Sequence, residues 1–245
     1  MGCWLYASIC EAAQRDPTLA RVIIVARGAA YQRLQTDGLE YSVRRGAGAA
    51  DNAAASDADR PQTIFLPPAA VQCAPTCAAL REQGVVADFV ILCVKTWQVG
   101  EAAKDAAGML REGTGRIVTT QNGVEAPAEA AAAAASDKRV VVGIAKVIAF
   151  REDSDSGALS CVRLASPSPK TIILGQFVRD LSGPEAASGR CGCVRQLAAV
   201  LEASKVDVSI ADNIKQELWR KATMMCCLGP VAAGTYAHVT SADVR

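Results

Sequence analysis

The sequence predicts an α/β fold built on a doubly wound parallel sheet, and two short apolar runs carry most of that prediction. Phe89-Val90-Ile91-Leu92-Cys93-Val94 is apolar at every position and rich in β-branched residues, which suits a strand covered on both faces. Ile117-Val118 is a second such run, and Val99 to Leu110 between them places Ala102, Ala103, Ala106, Ala107 and Leu110 at helical spacing. Each run delivers a polar cluster at its carboxyl end, Lys95-Thr96 after the first and Thr119-Thr120-Gln121-Asn122-Gly123 after the second. In doubly wound sheets ligands bind at that edge.

The other elements follow in order. Residues 3–14 read as a helix with Leu5, Ile9 and Ala12 or Ala13 on one face. Pro17 breaks it, and Ala20 to Ala26 is the first clear strand, ending at Arg27-Gly28. A helix that opens the chain and feeds a buried strand is half of a βαβ unit whose leading strand is absent. Residues 29–38 form a short helix closed by Asp37-Gly38, and Arg45 to Arg60, rich in Gly, Ala, Asp and Ser, reads as a loop or insertion. Thr63 to Leu66 is a strand before Pro67-Pro68, and Val71 to Gln83 a helix ended by Gly84. Ala126 to Ala135 is an alanine-rich helix on the solvent side, followed by a strand at Val140 to Ile144. Lys146 to Phe150, Leu159 to Leu164 and Lys170 to Leu174 are expected as antiparallel strands closing the sheet. Cys191 to Ala203 is a helix, Val206 to Ile210 a strand, and Asp212 the cap of a last helix.

Composition removes several classes of function. Lys and Arg number 26 against 25 Asp and Glu, so no net field favours nucleic acid or an acidic membrane. No stretch reaches the roughly 18 apolar residues of a membrane span, and the first residues lack the basic and apolar pattern of a secretion signal. Met1-Gly2 is followed at position six by Tyr6, where a myristoylation motif needs Ser or Thr. We expect a cytoplasmic protein. The ten cysteines lack paired Cys-x-x-Cys spacing and the chain has one histidine, His238, so no metal site is expected. The cysteines read as small hydrophobes in a reducing compartment.

On the last helix, steps of about 100° from Ile214 bring Leu218, Ala222, Met225 and Gly229 into one apolar arc, and Lys221 falls beside Met225. A lysine on a buried arc is a snorkelling stem, or one half of an ion pair with Glu217 one turn back, or an ammonium aimed into a cleft between this helix and the sheet edge.

Three segments, in this order, resemble the ketopantoate reductase (2-dehydropantoate 2-reductase) family. They are Val25-Ala26-Arg27-Gly28 with Asp37-Gly38-Leu39; Leu92-Cys93-Val94-Lys95-Thr96-Trp97-Gln98 with Gln121-Asn122-Gly123-Val124-Glu125; and Glu217-Leu218-Trp219-Arg220-Lys221. The resemblance implies a Rossmann-like NADP-binding domain over residues 1–211. Residues 212–245 would be a linking helix and the start of a truncated helical substrate domain. It implies an NADPH-dependent oxidoreductase that reduces a small-molecule 2-oxo acid, ketopantoate to pantoate in pantothenate biosynthesis, and is compatible with a homodimer. Lys221 matches the catalytic lysine, Arg27 the receiver of the NADPH 2′-phosphate, and Gly2 the last glycine of the dinucleotide turn. Lys95 and Asn122 match the nicotinamide end, Asn122 and Lys221 also the substrate side, and Ala149 a cofactor backbone contact. An arginine where NAD enzymes place an acid agrees with a 2′-phosphate on charge grounds alone.

The chain also departs from that pattern. The first strand and two of the three glycines would precede Met1, which would leave two unpaired ladder edges inside the sheet. Most of the helical domain would follow Arg245, and Met225 and Gly229 stand where the best-known members carry asparagines. The rival expectations are a non-catalytic nucleotide-binding module that retains Arg27, and an incomplete gene model of such a reductase.

Overall fold

The computed structural model describes residues 1–45, 62–152, 157–165, 171–179 and 191–234. The chain runs α1 (Gly2–Arg15), β1 (Ile24–Val25), α2 (Gly28–Thr36), β2 (Leu39–Arg45), β3 (Gln62–Leu66), β4 (Cys73–Ala74), α3 (Cys77–Glu82) and β5 (Phe89–Leu92). It continues with α4 (Val99–Ala107), β6 (Arg116–Thr119), α5 (Ala126–Ala133), β7 (Val140–Ala145), β8 (Ala149–Glu152), β9 (Leu159–Ala165), β10 (Thr171–Gln176), α6 (Gly192–Ala203), β11 (Asp207–Ile210) and α7 (Ile214–Gly234). The predicted loop after Arg45 and the turns around 153–156 and 166–170 lie outside the described residues, as does His238.

The main sheet has five strands in the order β11-β10-β7-β6-β5. β5, β6 and β7 are parallel, with rungs such as Ile91↔Val118 and Val118↔Val141. Side chains of these strands alternate between two cores, as the period of two requires. Phe89, Ile91, Val118 and Val141 face a cluster under α1 and α6, whereas Val90, Leu92, Ile117 and Val140 face one under α3, α4 and α5. Val142, Ile144 and Ile173 continue the second face against Ile214 and Leu218 of α7. Helices on both faces make this the doubly wound sheet the sequence predicts. It is mixed at one end, where β10 joins β7 antiparallel.

Several expectations need correction. β8 and β9 do not close the main sheet. They build a second sheet, ordered β3-β2-β9-β8, in which β9 is parallel to β2 and antiparallel to β8. This sheet lies over α1 and shares one core with it, which is why Trp4 through Ile9 are buried without interruption instead of along one stripe. Residues 71–83 are not one helix. Cys73-Ala74 form a strand on Ile24-Val25, Pro75 follows, and Thr76 caps the short α3 through a 3.0 Å bond from the Ala79 N–H. The first strand is only Ile24–Val25. α5 is not a solvent-side helix, because Ala126, Ala130 and Ala131 are buried in the core shared with α4. α7 is capped by Asn213, whose Oδ1 accepts from the Gln216 N–H at 3.0 Å, and not by Asp212.

β1 pairs with β4 and with no strand of the main sheet. Even so, Ile24 packs into the same core as Phe89 and Ile91, and Ile23 into that of Val90. β1 and β5 are therefore layered alike, and among the described residues no ladder joins them, which leaves a gap in the pairing.

Candidate functional site

The carboxyl ends of β5, β6 and β7 lie side by side, because the strands are parallel and in register. Past β5, the Leu92 carbonyl accepts from Thr120 Oγ1 and from Gln121 Nε2, both at 2.7 Å, and Gln121 Nε2 also reaches the Val94 carbonyl at 3.1 Å. Thr96 Oγ1 donates to the Asn122 carbonyl at 3.4 Å, and the Lys95 N–H to Gln98 Oε1 at 3.2 Å. These bonds tie the two polar clusters into one rim and leave the side chains of Lys95 and Asn122 exposed on it. Gly123 turns the chain with φ of 94°, a left-handed value that favours glycine.

Lys221 reaches this edge from α7. Its Nζ donates to the Ala145 carbonyl, at the end of β7, at 2.7 Å. Asn122 and Ala145 each stand three residues beyond the rung Thr119↔Val142, so the lysine and the asparagine belong to the same edge on neighbouring strands. Half-burial lowers the Lys221 pKa below the ordinary lysine value, and the nearby Lys146 lowers it further. The pairing with Glu217 does not form, since Glu217 Oε1 takes Arg220 at 2.6 Å. Met225, placed by helical periodicity on the apolar arc, is 41% exposed.

Arg27 precedes α2, next to Gly28 with φ of 56°. Its guanidinium is largely exposed and faces Glu101 at 3.6 Å and Asp105 at 3.9 Å, both on α4. The carboxyl ends of β1 and β5 therefore open on the same side. Gly2, first residue of α1, lies so close to the residue after β5 that a Cβ there would be 3.2 Å from the Cys93 Cβ. Ala149 opens β8 in the second sheet, paired with Arg163. Lys221 and Asn122 are thus placed on one edge, with Lys95, Arg27 and Gly2 along it, whereas Ala149 is placed on the other sheet. A cavity of about 230 Å³ between α7 and the turn after β6 is lined by Val124, Glu125, Phe177, Ile214, Leu218 and Trp219, among others, and by none of these site residues. Sequence reasoning did not single out Thr120 and Gln121, the side chains that bind the rim together, although both sit in the polar cluster it flagged.

The model of the family described as ketopantoate reductase PanE/ApbA matches residues 1–158. The chain belongs to that family. No curated protein matches the chain by sequence. Among solved structures, 2-dehydropantoate 2-reductase from Geobacter metallireducens GS-15 is 22% identical, with a TM-score of 0.60 over 87% of this chain and 56% of that one. The enzyme of the same description from Porphyromonas gingivalis W83 is 16% identical, with a TM-score of 0.68 over 94% of this chain and 67% of that one. D-mandelate dehydrogenase, solved with NADH and anilino(oxo)acetate, is 15% identical, with a TM-score of 0.62 over 89% and 56%. The chain spans between about half and two thirds of these relatives, and the likeness is one of fold. Among the described residues of this ketopantoate reductase family member no group of His, Cys, Asp and Glu could hold a metal, and no helix is long and apolar enough to cross a membrane.

Proposed function

We propose that this chain is the nicotinamide-dinucleotide-binding part of an NADPH-dependent reductase of 2-oxo acids, with ketopantoate as the substrate the family suggests. The observation that carries the proposal is the half-buried Lys221 ammonium, held by the Ala145 carbonyl on the edge that also bears Asn122. The residues present suit a dinucleotide. Gly2 lets the start of α1 approach the strand end, and the exposed Arg27 guanidinium can take a 2′-phosphate by charge-assisted bonds. NADPH, when bound, supplies the hydride.

The remaining chemistry falls to side chains. A keto oxygen that gains negative charge needs a donor, and the Lys221 ammonium has two N–H groups beyond the one given to Ala145. Its lowered pKa favours release of a proton to that oxygen. The Asn122 amide would orient the carboxylate or carbonyl of the substrate, and Lys95 would attract the anionic cofactor.

Fluorescence titration with NADPH tests the reading. The wild-type chain should bind, and Arg27→Ala should weaken binding by about 10- to 100-fold, the worth of a charge-assisted contact of roughly 1.5–3 kcal/mol. NADPH oxidation with ketopantoate, followed by absorbance and compared with Lys221→Ala, tests the catalytic half. A chain that does not bind NADPH, or an Arg27→Ala variant that binds it equally well, removes the proposal. Binding of NADPH without turnover favours the second reading, a nucleotide-binding module, to which the separation of the cavity from the site residues lends support.

A further inference from the structure

Outside that edge, the start of α6 brings two thiols together. Cys191 caps the helix and Cys193 is its second residue, and their Sγ atoms are 2.6 Å apart. Both face one acceptor, Gln176 Oε1, at 3.2 Å and 3.6 Å. Each is half-buried, so a small reagent can reach them. We propose that Cys191 and Cys193 are a redox-active dithiol that closes to an intramolecular disulfide by exchange with a small disulfide of the glutathione class.

The surroundings favour that chemistry. With the S–H of Cys193 turned to Cys191 the Cys191 thiolate is stabilised, and the Val194 and Cys193 amides at the helix start and the Arg116 guanidinium act in the same direction, against burial. Arg116 Nε is itself buried without a hydrogen-bond partner among the described residues, a cationic N–H left open near the pair. Burial instead pushes the Cys3 and Cys77 thiols up to about 11. The exchange balances in two steps. The Cys191 thiolate attacks one sulfur of the disulfide RSSR, forming Cys191–S–S–R and expelling RS⁻, which takes a proton. Cys193 then loses its proton and attacks the Cys191 sulfur, expelling the second RS⁻, also protonated. The two cysteines are oxidised, RSSR is reduced to two RSH, and no other reactant is needed.

Closure has a structural consequence. The Gln176 amide donates to the carbonyls of Asp137, Lys138 and Val140 at 3.3, 3.2 and 2.8 Å, so it fastens the start of β7 to the end of β10. A disulfide has no S–H, so oxidation leaves Gln176 Oε1 without a thiol donor, beside a clamp that also lines the cavity next to α7.

The test uses the full chain carrying Cys226→Ser and Cys227→Ser, which removes the exposed neighbouring pair. The chain is incubated with mixtures of oxidised and reduced glutathione, free thiols are alkylated, and peptides are mapped by mass. The peptide holding Cys191 and Cys193 should lose two hydrogens and become refractory to alkylation, at a rate about tenfold or more above any other cysteine. Dithiothreitol should reverse the change. Cys193→Ser should stop at Cys191 carrying one glutathione. Both thiols remaining alkylatable in oxidised glutathione alone, or a disulfide mapped to another pair, overturns the proposal.

Discussion

Lys221 is charged where the surroundings favour its neutral form, and that fixes the sign of a pH effect. Burial, then Lys146, holds its folded pKa below the ordinary 10.5. Between the two values the unfolded chain binds more protons than the folded one, so stability rises with pH across that window. The penalty is fully present below the folded pKa and is relieved as pH climbs toward the unfolded value. A Lys221→Met variant lacks this term, although it also loses the bond to the Ala145 carbonyl. Whichever variant is more stable near pH 7, the wild type should gain on Lys221→Met as pH rises to roughly 10. Urea midpoints for both proteins at the two pH values measure this, and parallel pH curves would show that the ammonium is not desolvated.

The helix that delivers Lys221 is seated by a glycine on the strand beneath it. Gly175 of β10 pairs with Val142, and a Cβ built on it would come within 2.5 Å of the Ile214 Cβ and 2.9 Å of its Cγ1. Those atoms lie near the backbone of α7, so the helix rather than a side-chain end must move. Gly175→Ala should cost about 1–3 kcal/mol, the usual range for overpacking, and should expose Lys221 by lifting α7 from the Ala145 carbonyl. Thermal melts read the first effect and competitive acylation of lysines the second; an undisturbed melting temperature would mean that α7 is not seated there. Helices and strands of this kind were legible where one local signal sufficed. Ile117-Val118 and Val140 to Ile144 declared themselves by unbroken apolar character, and α4 by its alanine spacing. β2 also alternates, with Leu39, Tyr41 and Val43 buried, but its partner β9 is far along the chain, so no local pattern could say which sheet it joins. The same applies to Cys73-Ala74, drawn into a strand by Ile24-Val25, and to Lys221, whose partner is a backbone carbonyl. The edge where the candidate residues meet was legible because strand direction alone decides it, while the bonds from Thr120 and Gln121 that fix its shape depend on register.

At the scale of the whole molecule, two cores run continuously beneath an interrupted sheet. The backbone of β1 is bonded on the β4 side, through the Ile24 and Ala26 N–H groups to the Gln72 and Ala74 carbonyls at 2.9 and 3.0 Å. Alternation turns the Val25 amide the other way. In β5 the Asp88 carbonyl takes the Arg116 N–H at 2.9 Å, so Asp88, Val90 and Leu92 address β6, and Phe89 and Ile91 face away from it. Val25, Phe89 and Ile91 therefore turn their amides away from β4 and β6, where the described residues offer no ladder. Packing above and below keeps the strands in place: Ile24 and Phe89 are packed against one core, Ile23 and Val90 against the other. Bare edges of this kind lose hydrogen-bond protection first. Native-state hydrogen exchange should find the amides of Val25, Phe89 and Ile91 exchanging about 100-fold or more faster than those of Val118 and Val141, which are bonded within the sheet. Equal protection at all five would mean that the gap is filled in solution by another strand, and that the two parts of the sheet act as one ladder after all.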